Sequence, residues 1–138
     1  MVQSLAILQF LATKYGFMPK DPFVAYECAN ICFALEDILS HMVQFAYSKF
    51  MTDDEKAAKK KDFVENVVPI YLKRFEERLK ANKDKKYIVG DNITYTDFAM
   101  LGFARMAFFN KEQALMWEGI LKECPLFNTY LSDIVKMV

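Results

Sequence analysis

Residues 89–98 of the chain read VGDNITYTDF, and this stretch marks the start of a helix. Thr94 and Asp97 have the spacing of a capping box, in which the Thr94 hydroxyl accepts the backbone N–H of Asp97 and the Asp97 carboxylate accepts that of Thr94. Ile93 before the cap and Phe98 in the first turn are placed to form a hydrophobic staple. Losing such a cap typically costs about 1 kcal/mol, so the box locates a helix without implying any chemistry.

Helical patterns continue on the N-terminal side of this box. Apolar residues recur at helical spacing over residues 5–15, and Gly16 is a natural helix stop. Pro22 directly behind Asp21 suits the first turn of a helix after an acidic cap. This second helix is predicted to be long and to run to Phe50, because no glycine or proline interrupts it.

A second capping box, formed by Thr52 and Glu55, predicts a helix that runs to about Lys80. Pro69 lies inside this helix, and an interior proline removes a hydrogen bond and clashes with the preceding turn. We therefore expect a bend near Val68.

The remaining sequence is also helical in pattern. The capped helix is predicted to run from Tyr95 to about Phe109, followed by a shorter helix near Glu112 to Leu121 and a last one after Pro125. No convincing alternating run bounded by turn residues indicates a sheet. The sequence predicts an all-α fold, a bundle of about six helices.

Length and composition narrow the class of protein. The chain has 138 residues, enough for one domain that buries roughly 70% of its unfolded surface. Eighteen basic and eighteen acidic residues cancel, which argues against a nucleic-acid partner. No uncharged apolar run approaches the ~20 residues of a membrane-spanning helix. Three cysteines without a secretory signal predict a reducing compartment, the cytoplasm or an organelle matrix.

Residues that often carry chemistry are few. Cys28 and Cys32 lie four positions apart on one helix face, a spacing that suits a metal ion, but zinc sites use about four ligands. His41, the only histidine, and Cys124 add no matching pattern. We therefore predict packed thiols, no metal site and no catalytic residue.

Several segments together resemble one protein family. Residues 3–8 read QSLAIL, Glu36-Asp37 is an acidic pair on the second helix, residues 69–79 read PIYLKRFEERL, and the last helix opens with Cys124-Pro125-Leu126. With the box at 89–98, these segments resemble the C-terminal all-helical domain of pi- and sigma-like glutathione S-transferases, beginning at the Gln-Ser motif of the family's third helix.

This resemblance implies a division of the chain. Residues 1–16 are expected to be a remnant helix of a thioredoxin-like domain, and residues 17–138 the helical domain. Most of the thioredoxin-like half, which in the family supplies the residue that activates the glutathione thiol, is expected to be absent. We therefore expect a non-catalytic interaction or structural module in a larger assembly or dimer. The alternative is the C-terminal part of an active cytosolic glutathione S-transferase that conjugates glutathione to electrophilic compounds.

The resemblance also implies candidate site residues. In the family, Gln and Ser at the positions of Gln3 and Ser4 hold the γ-glutamyl carboxylate of glutathione, and an acid at the position of Asp37 reaches the γ-glutamyl amine bound by the other subunit. Tyr47 matches a position that often lines the pocket for the hydrophobic co-substrate. Each residue also has a purely structural reading: Ser4 as an N-cap, Asp37 as a solvated helix residue and Tyr47 as core. The arginine usual in the family's third helix is Gln9 here.

An exposed apolar face is a further consequence of the resemblance. In the family, the third helix and part of the bundle pack on the thioredoxin-like half, and soluble monomers seldom leave such a patch bare. We expect a protein partner or a second copy of the chain to cover it. No cofactor is expected, and glutathione is the one ligand that the resemblance implies.

Overall fold

The computed structural model describes residues 3–83, 86–108 and 111–137, with the side chains of residues 111–115 excepted. Seven α-helices follow one another in the described chain, and no strand occurs among these residues. Their bounds are α1 Ser4–Tyr15, α2 Pro22–Ala46, α3 Asp53–Asp62, α4 Val68–Ala81, α5 Tyr95–Ala107, α6 Lys111–Glu123 and α7 Pro125–Lys136. The predicted all-α fold class is confirmed.

The first two helices begin and end largely as their sequence signals predict. Gly16 ends α1 in the left-handed conformation, at φ 81°, where a residue without Cβ fits best. The Asp21 carboxylate caps α2 by accepting the N–H groups of Phe23 at 2.8 Å and Val24 at 3.0 Å. The α2 helix stops at Ala46, however, and not at the predicted Phe50.

The early end of α2 follows from the start of the next helix. Thr52 is extended, at φ −67° and ψ 164°, so that it can cap α3. Its N–H donates to the Glu55 carboxylate at 2.7 Å, and the N–H of Glu55 donates to its hydroxyl at 3.3 Å. Because a capping box needs this non-helical residue in front of it, the chain must leave α2 a few residues earlier.

A π-helical segment, Phe63–Val67, joins α3 to α4. Pro69 has no N–H to donate, and its ring would clash with the carbonyl of the preceding turn in a regular α-helix. A widened, π-helical turn thus lies just before the proline, and the bend expected near Val68 stays a prediction. If α3, the π segment and α4 are counted as one interrupted helix, the predicted number of about six helices agrees with the structure.

The later helices also lie near their predicted positions. The α5 helix ends at Ala107, while the predicted end at Phe109 falls outside the described residues. The α7 helix opens at Pro125, as predicted, but with a cap that the local sequence does not show. The buried carboxylate of Glu76, on α4, accepts the N–H of Phe127 at 2.8 Å and so ties α4 to the first turn of α7.

The core is built around α5, which packs against α1, α2 and α7. Aromatic residues of the core come from four helical segments. Trp117 of α6 contacts Phe63 of the π-helical segment and Phe108 at the end of α5, and Phe108 also contacts Phe127 of α7. Within the described ranges, no helix has the combination of length and apolar composition that crossing a bilayer requires.

Asp97 joins the start of α5 to two other parts of the chain. One carboxylate oxygen of Asp97 accepts the backbone N–H of Thr94 at 2.8 Å and the Thr94 hydroxyl at 3.2 Å. The bond to the N–H is the one predicted for the capping box. The other oxygen accepts the Tyr130 hydroxyl at 2.8 Å, from α7, and the N–H of Ile88 at 3.3 Å. Burial raises the pKa of Asp97, and the hydrogen bonds that it accepts oppose this rise.

The staple predicted beside this box involves an additional aromatic residue. Phe98 packs edge-on against Phe17, from the connection between α1 and α2, with ring centroids 5.0 Å apart. The N–H of Tyr95 also donates to the carbonyl of Phe17 at 3.2 Å. A direct contact between Ile93 and Phe98 stays a prediction.

Replacing Asp97 with alanine should remove about 3 kcal/mol of unfolding free energy, because four buried donors lose their acceptor. Urea denaturation followed by circular dichroism measures this loss. The matched control is Asp91→Ala, an exposed carboxylate in the same segment, which should change the unfolding free energy by less than about 0.5 kcal/mol. Equal effects of the two variants would contradict the role given to Asp97.

The pH dependence of stability provides a second test of this carboxylate. Since burial raises the folded-state pKa of Asp97, its contribution is fully present below the unfolded pKa and is lost as pH rises through the folded value. The difference in unfolding free energy between wild type and Asp97→Asn should therefore shrink from pH 4 toward pH 7, since the variant cannot titrate there. A difference that grows over this range would contradict the raised pKa.

Candidate functional site

An open apolar groove lies beside α1, on the surface that it forms with α2 and α5. One part has a volume of about 290 Å³, and its walls include Leu5, Leu8, Leu39, Phe98 and Met106. A second part of about 260 Å³ continues toward the end of α1 and shares Leu8 and Phe98 with the first. We call the two parts together the α1 groove.

The residue pattern of α1 explains one wall of this groove. Ser4, Leu8, Leu11 and Tyr15 recur at intervals of three and four and therefore share one helix face. Leu11 remains 39% and Tyr15 62% exposed, although both are apolar enough to favour burial. Ala12 is the only fully buried residue of α1, so the other helices of the bundle leave most of the surface of α1 uncovered.

The floor of the groove comes from α5. Small residues, Ala99 and Gly102, lie between the larger Phe98 and Met106. A Cβ placed on Gly102 would meet no atom within 4 Å, so the space above it is open. The floor can therefore accept side chains from another molecule without rearrangement of the helix.

Polar groups are few in the groove and lie at one end. Among the described residues, Glu36 is the only charged one that lines the groove, and Ser4 lines the same part of it. The Cys32 thiol, also in the lining, is buried and donates weakly to the Thr96 hydroxyl at 3.9 Å. Among the described residues, none forms an ion pair with Glu36.

Gln3 and Ser4 lie at the start of α1. Gln3 is the residue before the helix and has φ 70° and ψ 106°, a conformation that residues with a side chain rarely adopt. Ser4 is the first helical residue, so its purely structural reading as an N-cap is wrong. Neither side chain caps the helix, and both residues are exposed.

Asp37 and Tyr47 lie away from the groove. Asp37 is exposed and lies about 100° from Glu36 around α2. It is on the side of α2 nearer α4, where burial and, second, the charge of Asp37 raise the pKa of Tyr71. Tyr47 follows the end of α2 and is 78% exposed, so its reading as a core residue is wrong. Ser4 and Glu36 thus both line the groove, whereas Asp37 and Tyr47 do not.

Gln9 points inward. Its side-chain amide lies 3.5 Å from the hydroxyl of Tyr95, a buried residue at the start of α5. Gln9 therefore contributes to the packing of α1 against α5.

The three buried thiols and two buried phenols have raised pKa values in the described structure. Burial raises the pKa of Cys28 and Cys124 and raises that of Cys32 to about 12. It also raises the pKa of Tyr95 and, strongly, that of Tyr130. A reactive thiol or phenol needs a lowered pKa. The described residues contain no cluster of three or more side chains arranged to hold a metal ion.

Sequence reasoning missed the residues that form the groove. Glu36 was noted only as half of an acidic pair, and Ala99 and Gly102 were not singled out. A signal was available in α5, where small residues interrupt an apolar face whose neighbours are Phe98 and Met106. The other walls come from helices more than fifty positions away in sequence, which no local pattern connects.

The family model of the glutathione S-transferase C-terminal domain matches residues 36–135. The chain belongs to this family. Its match covers α2 from Glu36 onward and every later helix through most of α7.

Curated relatives agree with this assignment. The glutathione S-transferase class-mu 26 kDa isozyme of Schistosoma mansoni is 27% identical over 140 residues, covering 96% of this chain and 60% of the relative. Glutathione S-transferase P of Capra hircus is 29% identical over 133 residues, covering 96% of this chain and 57% of the relative. The chain therefore spans less than two thirds of the length of these relatives.

Solved structures show the same fold. The Onchocerca volvulus Pi-class glutathione S-transferase aligns with 97% of this chain and 59% of its own, with a TM-score of 0.76 and 22% identity. Prostaglandin synthase D of Nilaparvata lugens aligns with 99% of this chain and 63% of its own, with a TM-score of 0.80 and 15% identity. Since mu-class and P-type relatives both match, the class within the family stays a prediction.

The thiols should react slowly in the native protein. Because burial raises the pKa of Cys28, Cys32 and Cys124, their thiolate fraction at pH 8 is low. Reaction with Ellman's reagent should be at least about 100-fold slower than in denaturant. A fast-reacting cysteine in the folded chain would contradict this, and peptide mapping would identify it.

Proposed function

We propose that these residues form a non-catalytic docking module, which binds another polypeptide through the α1 groove. The observation that carries the proposal is the groove itself, an apolar trough along a helix whose Leu11 and Tyr15 side chains are left exposed. Covering apolar side chains of this size gains roughly 1.5–3 kcal/mol each when burial is complete.

The electrostatics of the module support binding over chemistry. Conjugation of glutathione needs its thiol as a thiolate, held by a group that lowers the thiol pKa. The buried thiols and phenols described above have raised pKa values, so none of them is itself an activated nucleophile. A pair of buried, protonated thiols between α2 and the start of α5 instead serves packing.

A second candidate is the C-terminal part of an active glutathione S-transferase, which the names of the relatives favour. In this case Gln3 and Ser4 hold the γ-glutamyl carboxylate at the N-terminus of α1, where free N–H groups favour an anion. Asp37 then receives the γ-glutamyl amine bound by a second subunit, and Tyr47 lines the co-substrate pocket. Exposure of Ser4, Asp37 and Tyr47 leaves them available for such contacts.

The two candidates agree on the architecture beyond the groove. Both treat residues 1–16 as a helix of a thioredoxin-like domain and residues 17–138 as the helical domain, and both need a polypeptide that covers α1. Both also suit a reducing compartment, in which the buried thiols stay free.

Activity of the 138-residue chain tests whether these residues carry any of the chemistry themselves. With glutathione and 1-chloro-2,4-dinitrobenzene, the chain should show no conjugation above the buffer rate, because in the family the residue that activates the glutathione thiol belongs to the thioredoxin-like half. Sedimentation velocity on the same sample should reveal association that strengthens with concentration, since the groove is apolar. Turnover above the buffer rate would contradict the module, as would a monomer that binds no apolar dye.

Intact mass of the protein isolated from its natural source adds a check that does not depend on activity. A mass of 16.1 kDa is that of the chain as written and agrees with the module acting through a separate partner. A mass larger by a thioredoxin-like unit would favour the second candidate.

A further inference from the structure

We propose that a small cavity between α2 and α3 binds inorganic phosphate in a form that still carries a proton. Among the described residues, the polar lining consists of His41 and Gln44 from α2 and of Lys59 and Asp62 from α3, and Phe63 of the π-helical segment belongs to the apolar lining. We call this the α2–α3 cavity. The inference goes beyond the docking function, since none of these residues lines the α1 groove.

The size of the α2–α3 cavity limits its ligand to a few atoms. The volume is about 80 Å³, well below the roughly 300–1,000 Å³ of sites for drug-sized molecules. A group that fills so small a space lies close to side chains of both helices at once. A single oxyanion is therefore a suitable occupant.

Aromatic packing holds the inner wall of the cavity in place. Phe63 is buried, with 2% of its surface exposed, and its ring centroid lies 6.2 Å from that of His41 and 5.4 Å from that of Phe45. The imidazole of His41 thus packs against a fixed ring. The wall also belongs to the π-helical turn Phe63–Val67, and turns of this kind are frequent at functional sites.

Three side chains offer hydrogen-bond donors to this cavity. In the part of the chain that the structure describes, the side chains of His41, Gln44 and Lys59 form no hydrogen bond or ion pair. Glu55, the acid one turn before Lys59, already accepts the N–H and hydroxyl of Thr52. A lysine ammonium is a common phosphate ligand, and the histidine and glutamine N–H groups can donate to further oxygens.

A metal ion suits this set of residues less well than an anion does. The described ranges contain no group of three or more His, Cys, Asp or Glu side chains that could hold a metal ion. In the cavity lining, only His41 and Asp62 belong to these types. The ammonium of Lys59 would also repel a cation placed between them.

Asp62 determines which oxyanion fits. Its Oδ1 accepts the side-chain N–H of Asn66 at 2.7 Å, and an ionised carboxylate can only accept hydrogen bonds. Sulfate carries no proton at neutral pH, so it would place only negative oxygens beside Asp62, which is an unfavourable contact between like charges. Inorganic phosphate keeps at least one P–OH group, which can donate to Asp62 while the other three oxygens accept from the three donors.

The same argument separates free phosphate from a phosphorylated metabolite or protein. A phosphomonoester loses its last proton with a pKa of about 6, so most of it has no P–OH group at pH 7.5. Both kinds of ligand present a tetrahedral phosphoryl group to the donors. Only the free anion retains a hydroxyl group for Asp62, and the assigned ligand is therefore inorganic phosphate.

His41 provides the probe for a test, because it is the only histidine of the chain and its ring C–H protons give NMR signals of their own. The full 138-residue chain is titrated with phosphate, sulfate or methyl phosphate at pH 7.5 and constant ionic strength. Phosphate should shift the His41 signals saturably, with a Kd in the millimolar range that exposed charged contacts allow. Sulfate and methyl phosphate should each bind at least about fivefold more weakly.

Three variants at exposed positions of α3 assign the contacts. Lys59→Ala should weaken phosphate binding by about fivefold or more. Lys60→Ala removes the same charge from the next position, outside the cavity lining, and should change the Kd by less than about twofold. Asp62→Asn should bring the Kd values of phosphate and sulfate to within about twofold of each other. Because α3 has no buried residue, the variants should stay folded, which circular dichroism establishes.

Four results would overturn the inference. The first is the absence of a saturable shift at tens of millimolar phosphate. The second is sulfate binding as tight as phosphate binding, which would remove the role given to Asp62. Methyl phosphate binding as tightly as phosphate would mean that the cavity accepts any phosphoryl group. Equal weakening by Lys59→Ala and Lys60→Ala would mean that the lysines of α3 attract anions in general and that the cavity is not a site.

Discussion

The buried carboxylate of Asp97 is the contact on which the rest of this domain depends. It accepts hydrogen bonds from Thr94, Ile88 and Tyr130, and so joins the first turn of α5 to the preceding segment and to α7. A carboxylate in the interior is unfavourable unless donors surround it. The same donors that stabilise Asp97 therefore fix where α5 begins and in which direction it leaves the loop.

Fixing α5 also fixes the groove. One side of α5 enters the core, with Met100 and Ala104 fully buried against the neighbouring helices. On the opposite side of α5, Phe98 and Gly102 line the α1 groove. An interaction that is purely structural thus determines the position of the surface through which the domain is proposed to act.

The sequence predicts helix starts well because their chemistry is local. Asp21, Thr52 and Thr94 each cap a helix at the predicted residue, with hydrogen bonds between positions two or three apart. Ends depend on more distant constraints: α2 stops at Ala46 because the cap of the next helix must form. The Glu76 carboxylate that caps α7 lies 51 positions away from the N–H it accepts, and no local pattern predicts such a bond.

The candidate site was less predictable than the fold for the same reason. Resemblance directs attention to Ser4, Asp37 and Tyr47, whereas the groove is defined by surfaces that meet only after folding, between α1 and a helix about ninety positions later. An exposed apolar face was expected on α1, and the structure shows the groove beside it, in which Glu36 is the one charged lining residue among those described.

Binding of an uncharged apolar dye tests the central claim most directly. Nile red titrated into the wild-type chain should show a saturable rise in fluorescence, because the groove beside α1 is open and apolar. Gly102→Leu should suppress most of this rise, while Gly119→Leu should leave it unchanged. Equal fluorescence from wild type and Gly102→Leu would contradict the account, because the exposed apolar surface would then lie elsewhere.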